Sequence, residues 1–167
     1  TKAMGGKSIS QSPNSPIEML TAPDVVLLGV TRPAEGGMPQ EHIERAAREC
    51  YQSHDKMTPE SNLRFLRGIL LRGHESVLEH ASATFRVHGG SRAFTHEIVR
   101  HRLLSFSQQS QRYVSETNYR AILPPAIAAN PEARRVFTEH LEQTREAYRK
   151  LKELGLKNED ARFVLPN

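Results

Sequence analysis

At 167 residues the chain is long enough for one domain with a real core, and 23 Lys plus Arg against 19 Asp plus Glu leave a mild formal charge of +4. No apolar run reaches the roughly 18 residues needed to cross a bilayer, and the N-terminus has no apolar signal core, so a cytoplasmic protein with no membrane partner is expected. The single cysteine, Cys50, excludes an internal disulfide framework and a cysteine-rich metal site.

The first 23 residues are rich in Ser, Pro, Gly and Lys without periodicity and read as a flexible arm, with order beginning at Val25. The β-branched, apolar run Val25-Val26-Leu27-Leu28-Gly29-Val30 predicts a buried strand, broken by Thr31-Arg32-Pro33 and Gly36-Gly37. Ile43, Ala46, Ala47 and Cys50 recur at helical spacing over residues 40–52. A second helix starts at Thr58-Pro59-Glu60, with Leu63, Leu66, Ile69 and Leu70 on its inner face, and stops at Gly73.

Residues 81–88 alternate, Ala83, Phe85 and Val87 against Thr84, Arg86 and His88, which is the period of a half-buried strand. After Gly89-Gly90, Ser91 stands where an N-cap belongs, and Phe94 and Ile98 trace the inner stripe of the helix it opens. A long helix follows from Asn130-Pro131-Glu132, carrying Phe137, Leu141, Tyr148, Leu151 and Leu154 until Gly155; a shorter piece covers residues 158–165 and ends at Pro166. Short strands mixed with longer helices predict an α+β fold, a mixed sheet packed with several helices.

Chemistry concentrates in Arg100-His101-Arg102-Leu103-Leu104-Ser105-Phe106-Ser107-Gln108-Gln109-Ser110-Gln111-Arg112-Tyr113, at the end of the Ser91 helix and in the loop beyond it. Arginine offers a planar fork that matches phosphate oxygens two at a time, histidine donates or accepts near neutral pH, and Ser, Gln and Tyr add neutral partners. That mixture suits a ligand made of phosphate and a polar heterocycle.

Arg100-His101-Arg102, seven residues, then Ser110-Gln111-Arg112-Tyr113 resembles the signature of the flavin-dependent thymidylate synthases. Two further blocks are similar to that family, Gly73-His74-Glu75-Ser76-Val77-Leu78-Glu79-His80 upstream and Ala161-Arg162-Phe163-Val164-Leu165-Pro166 downstream. The resemblance implies a fold like that of the thymidylate synthase complementing proteins over residues 24–167, with the C-terminal part of the family domain missing. It further implies a cytoplasmic homotetramer that methylates dUMP reductively to dTMP, with methylenetetrahydrofolate giving the carbon, NADPH the reducing equivalents and FAD carrying the hydride.

Carried over residue by residue, the resemblance places Arg100, His101, Arg102, Ser76 and Gln108 at the flavin, with His74 and Glu79 near flavin and folate. It places Glu97, Arg100, Gln108, Gln109, Ser110, Gln111, Arg112 and Arg162 on dUMP. Arg100, Arg112 and Ser110 are the residues expected to serve catalysis, Ser110 as a binding hydroxyl, because no His or Asp stands at a spacing that marks a base for it. Fixed arginines and hydrogen-bond donors can polarise a uracil ring without a thiolate nucleophile, and Cys50 reads as a small core residue.

Other readings weigh against these. Glu79 suits an exposed helix position or cap equally well, and Phe85, Phe94 and Phe106 read as core or wall residues. His74-Glu75 begins like a zincin helix, but Leu78 occupies the second ligand position, so no metal is expected. A noncatalytic nucleic-acid-binding module using Arg92, Arg100, Arg102 and Arg112 is the other class considered. It lacks a recognisable motif and the uneven charge of such modules, and no stable nucleic-acid partner is expected.

Overall fold

The structure, a computed structural model, describes residues 15–166. These divide into two compact units, Val25–Val87 and a second built from the residues flanking it on both sides. The fold is α+β.

In the Val25–Val87 unit, β2 (Asp24–Val30) pairs with β3 (Ala83–His88). Thr31, just past β2, donates its N–H to the carbonyl of Ser82, just before β3, at 2.9 Å, so the two strands run in opposite directions. Both strands were expected to be buried or half-buried; instead Val25, Leu27, Leu28 and Phe85 are all more than half exposed. A two-stranded ribbon has no second layer of its own to cover its faces, so apolar runs alone do not bury it.

Helix α1 (Pro39–Glu49) starts on Pro39, whose missing N–H costs nothing in a first turn, while Glu41 reaches back to the Met38 N–H at 3.3 Å. It packs against α2 (Ser61–Leu71) and against a short 3-10 turn, Glu75–His80. The core between them is Ala47, Leu66 and Ile69; Leu63 and Leu70, expected on the inner face, are exposed. Cys50 corrects the reading of a core thiol. The helix ends one residue before it and the cysteine is exposed at the C-cap.

The buried stripe of α1 is polar as well as apolar. Glu44 and Arg48, one turn apart, form an ion pair at 2.7 Å with side chains 1% and 7% exposed. Ser61 Oγ donates to Glu44 at 2.8 Å, Arg48 Nη1 donates to the Ser53 carbonyl at 3.0 Å, and the guanidinium lies 4.2 Å above the Phe65 ring. One network thus ties α1, the turn after it and α2 together.

Helix α2 ends in a Schellman motif: Gly73 donates to Leu70 at 2.9 Å and His74 to Ile69 at 3.2 Å, with Gly73 at φ +74, where a side chain would strain. That stop sets the start of the 3-10 turn carrying Ser76 and Glu79.

In the second unit, β1 (Met19–Leu20) pairs in parallel with β4 (Ala121–Ile122), Met19 opposite Ala121 and Leu20 opposite Ile122. Parallel and antiparallel pairing both occur, then, but in two separate two-stranded sheets and not in one. Residues 1–14 of the expected arm lie outside the described residues. The expectation that order begins at Val25 is corrected by Ile17, which is buried with Ala121 and Leu141. Its backbone N–H donates to Glu142 at 3.4 Å, and Arg145 donates to the Ser15 carbonyl at 2.6 Å.

Helix α3 (Arg92–Ile98) leads to the signature loop, and α4 (Pro125–Ala128) precedes the long α5 (Pro131–Glu153). The expected stripe of α5 is real at Leu141 and Tyr148, both buried, and fails at Leu154, an exposed C-cap residue. Asn130 Oδ1 accepts from the Glu132 and Ala133 N–H groups at 3.0 and 3.1 Å. Replacing it by alanine is expected to cost about 1 kcal/mol, read as a lowered urea midpoint at unchanged slope; an unmoved midpoint would deny the cap that role. The chain closes with α6 (Asn158–Ala161) and a 3-10 turn, Arg162–Val164.

Candidate functional site

Local chemistry first decides where the signature begins. Ser91 Oγ accepts from the Phe94 N–H at 3.0 Å and starts α3, which is only 7 residues long. Past its end the backbone winds through single turns, Arg100 N–H to Glu97 at 3.2 Å and His101 N–H to Ile98 at 3.1 Å. Arg100, His101 and Arg102 are exposed there, and among the described residues none of their side chains has a hydrogen bond or ion pair. Cations just beyond a helix C-terminus sit where the helix dipole favours them.

The chain then returns along α3. Gln108 donates its side-chain amide to Thr95 Oγ1 at 3.0 Å, and Arg92 Nη2 donates to the Gln109 carbonyl at 3.1 Å. Ser110 begins a turn in which its carbonyl accepts from Val114 at 3.0 Å and its hydroxyl oxygen accepts from the Arg112 N–H at 3.3 Å. No His, Asp or Glu among the described residues bonds that hydroxyl.

Arg112 carries the loop to a distant segment: its Nε donates to Glu159 Oε2 at 3.3 Å, with both side chains partly exposed, and its guanidinium lies 5.6 Å from the centre of the Tyr113 ring. Glu159 belongs to α6, and Arg162 opens the 3-10 turn immediately after it. The fold therefore brings the loop residues 108–112 to α3, which carries Glu97, and to the segment carrying Arg162. Glu97 itself is exposed. His74, Ser76 and Glu79 stand in the other unit, all exposed, around the 3-10 turn after α2.

Three residues that sequence reasoning did not assign to this site shape the loop: Thr95, Glu116 and Glu159. Glu116 accepts from the Gln109 amide at 3.4 Å, and its own backbone N–H donates to the hydroxyl of buried Tyr148 at 3.3 Å. Burial pushes the Glu116 carboxyl above the usual range, with Arg92 and the Gln109 amide pulling the other way. Nearby Tyr119 is pushed up to about 12, chiefly by burial, and so stays a neutral donor to the Leu141 carbonyl at 2.9 Å. Thr95, Glu116 and Glu159 stand in no motif, and a lone Glu in a loop or a short helix carries no special signal. Phe85, Phe94 and Phe106, read as core or wall residues, are all exposed within this chain.

A helix end, cations without a partner among the described residues and an amide-rich loop pinned to α3 thus lie together in the signature segment of an α+β fold. Residues 35–167 match the family described as thymidylate synthase complementing protein, and the chain belongs to that family. The resemblance to flavin-dependent thymidylate synthases holds across relatives of that name. It is 43% identical to the one from Geobacter sulfurreducens over 137 residues, covering 77% of this chain and 59% of the relative. It is 42% identical to the one from Mycobacterium marinum over 149 residues, covering 88% of this chain and 56% of the relative. The chain thus spans little more than half the length of these relatives.

Among solved structures, the fold is similar to a UMP/dUMP methylase PolB from Streptomyces cacaoi bound with 5-Br dUMP, at TM-score 0.75 and 25% identity, covering 90% of this chain and 70% of that one. It is also similar to thymidylate synthase X from Helicobacter pylori with FAD and dUMP, at TM-score 0.65 and 24% identity, covering 87% and 73%; this likeness concerns the fold alone. No helix among the described residues is long and apolar enough to cross a membrane.

Proposed function

We propose that the protein is a cytoplasmic flavin-dependent thymidylate synthase, residues 24–167 being part of its catalytic domain, that methylates dUMP reductively to dTMP. Methylenetetrahydrofolate gives the carbon and NADPH the reducing equivalents. The observation that carries this reading is the placement of Arg100, His101 and Arg102, exposed and without partners among the described residues, at the end of α3, which also holds the Gln108 amide and the Gln109 carbonyl of the loop that follows. The names of the relatives support it.

The residues present fit a flavin dinucleotide. Its pyrophosphate needs cations not already neutralised by carboxylates, which Arg100 and Arg102 are, and its polar ring needs mixed donors and acceptors, which His101 and Gln108 offer. Ser76, His74 and Glu79 are the further flavin residues of this proposal. FAD, when bound, supplies hydride transfer between NADPH and the nucleotide.

The chain's own residues do the rest. Arg112 and Arg162 neutralise the nucleotide phosphate, a dianion being a stronger partner for Arg112 than the single, half-exposed Glu159 carboxylate. Ser110, Gln109, Gln111 and Glu97 orient the base, with Ser110 a binding hydroxyl. Arg100 reaches both ligands and stabilises negative charge that develops on the uracil ring. Self-association as a homotetramer belongs to the same proposal, and the exposed Val25, Leu27, Leu28 and Phe85 support it as surface that a partner would cover.

The test is purification of the full-length protein, which should be yellow, followed by dTMP formation from dUMP, methylenetetrahydrofolate and NADPH. Colourless protein that binds nucleic acid in a salt-sensitive way would overturn the proposal. Within that assay Cys50→Ala should keep most of the turnover, since Cys50 is an exposed C-cap residue assigned no chemistry. Near-complete loss with flavin occupancy intact would restore a covalent thiolate mechanism.

A further inference from the structure

The signature loop is held by groups that the proposed chemistry does not use. Gln109 is gripped at both ends, its carbonyl by Arg92 at 3.1 Å and its side-chain amide by Glu116 at 3.4 Å. Glu116 is itself anchored, because its backbone N–H donates at 3.3 Å to the hydroxyl of Tyr148, which is 0% exposed. Half-burying a carboxylate strips part of its water, a cost that the Gln109 amide and the neighbouring Arg92 charge offset only in part. Hydrophobic packing gives no reason for a carboxylate here.

We propose that Glu116 is a positioning residue: anchored to α5 through Tyr148, it fixes Gln109, whose carbonyl Arg92 holds from α3, and so keeps residues 108–112 in the shape in which Ser110 and Arg112 meet a nucleoside monophosphate. The assignment rests on the proposed function and deepens it. A loop already ordered before the ligand arrives does not charge its ordering entropy against binding. Glu116 contacts neither uracil ring nor flavin in this scheme, so its removal acts on dUMP binding and leaves turnover at saturation nearly intact.

The experiment uses the full-length protein with FAD bound, with dUMP affinity read by calorimetry and dTMP formation read at varied dUMP. Glu116→Ala should raise both Kd and KM for dUMP about tenfold, the loss of one hydrogen bond to a charged group, with kcat within about twofold and flavin occupancy unchanged. Glu116→Gln should recover affinity to within about threefold, because its amide oxygen still accepts from Gln109. Tyr148→Phe removes the hydroxyl that anchors Glu116, at a residue that touches neither ligand in this scheme, and serves if Glu116→Ala does not fold. Combined with Glu116→Ala, it should weaken dUMP binding little beyond Glu116→Ala alone.

Wild-type protein with FAD but no dUMP affinity would overturn the proposed function, and this assignment with it. Wild-type affinity that both single variants retain would overturn the assignment alone, as would a fall in kcat with unchanged KM.

Discussion

Glu44→Ala is expected to destabilise the protein by roughly 3–5 kcal/mol, the cost of leaving a buried guanidinium without its counter-charge. Arg48 is 7% exposed at its side chain, and its remaining partners, the Ser53 carbonyl and hydroxyl, carry no formal charge. Ser61 would lose its acceptor in the same step, at 2.8 and 3.0 Å from the two carboxylate oxygens. For a domain of this size the loss corresponds to a fall in Tm of roughly 10 °C. The control is Glu44→Ala with Arg48→Met, which removes both charges and should regain much of the loss. Thermal unfolding in which the single variant matches wild type would show that Arg48 needs no counter-ion. If the double variant unfolds no later than the single one, the loss belongs to packing.

Arg100→Ala is expected to act in the opposite way, on ligands and not on stability. Its side chain is exposed and has no partner among the described residues, so truncation leaves no buried group unpaired. Removing charge-assisted contacts of roughly 1.5–3 kcal/mol should weaken both flavin and dUMP about ten- to a hundredfold. Calorimetric titration of the full-length variant checks each ligand separately. Unchanged affinity for both would take Arg100 out of the site, and a loss for one alone would divide the proposed double role. A large fall in Tm would show a structural function that the geometry gives no sign of.

Boundary signals in this chain were legible because they are local. Ser91 caps α3, Asn130 caps α5, and Gly73 and Gly155 adopt positive φ at the ends of α2 and α5, each decided by a few adjacent residues. Burial was less legible. Periodicity marks which face of an element is apolar, and says nothing of whether a neighbour arrives to cover it. Leu63, Leu70 and the β2 run are apolar and exposed within this chain, while Ile17, assigned to a flexible arm, is buried because β4 and α5 come to it from more than a hundred residues away.

By itself the sequence determined the chemistry available to this protein. The arginines, amides and hydroxyls of residues 100–113, their order and their spacing are covalent facts, and the proposed phosphate and heterocycle ligand is read from them. The tertiary structure alone decided which of those groups are free and which are held. Glu44 and Arg48 have the spacing of an ordinary solvated ion pair and are buried; Glu116 and Glu159 look like unremarkable surface charges and hold Gln109 and Arg112. The physical reason is that a carboxylate's role depends on the partner and the water around it. Both are set by chain segments brought close only on folding, and no local pattern of residues encodes them.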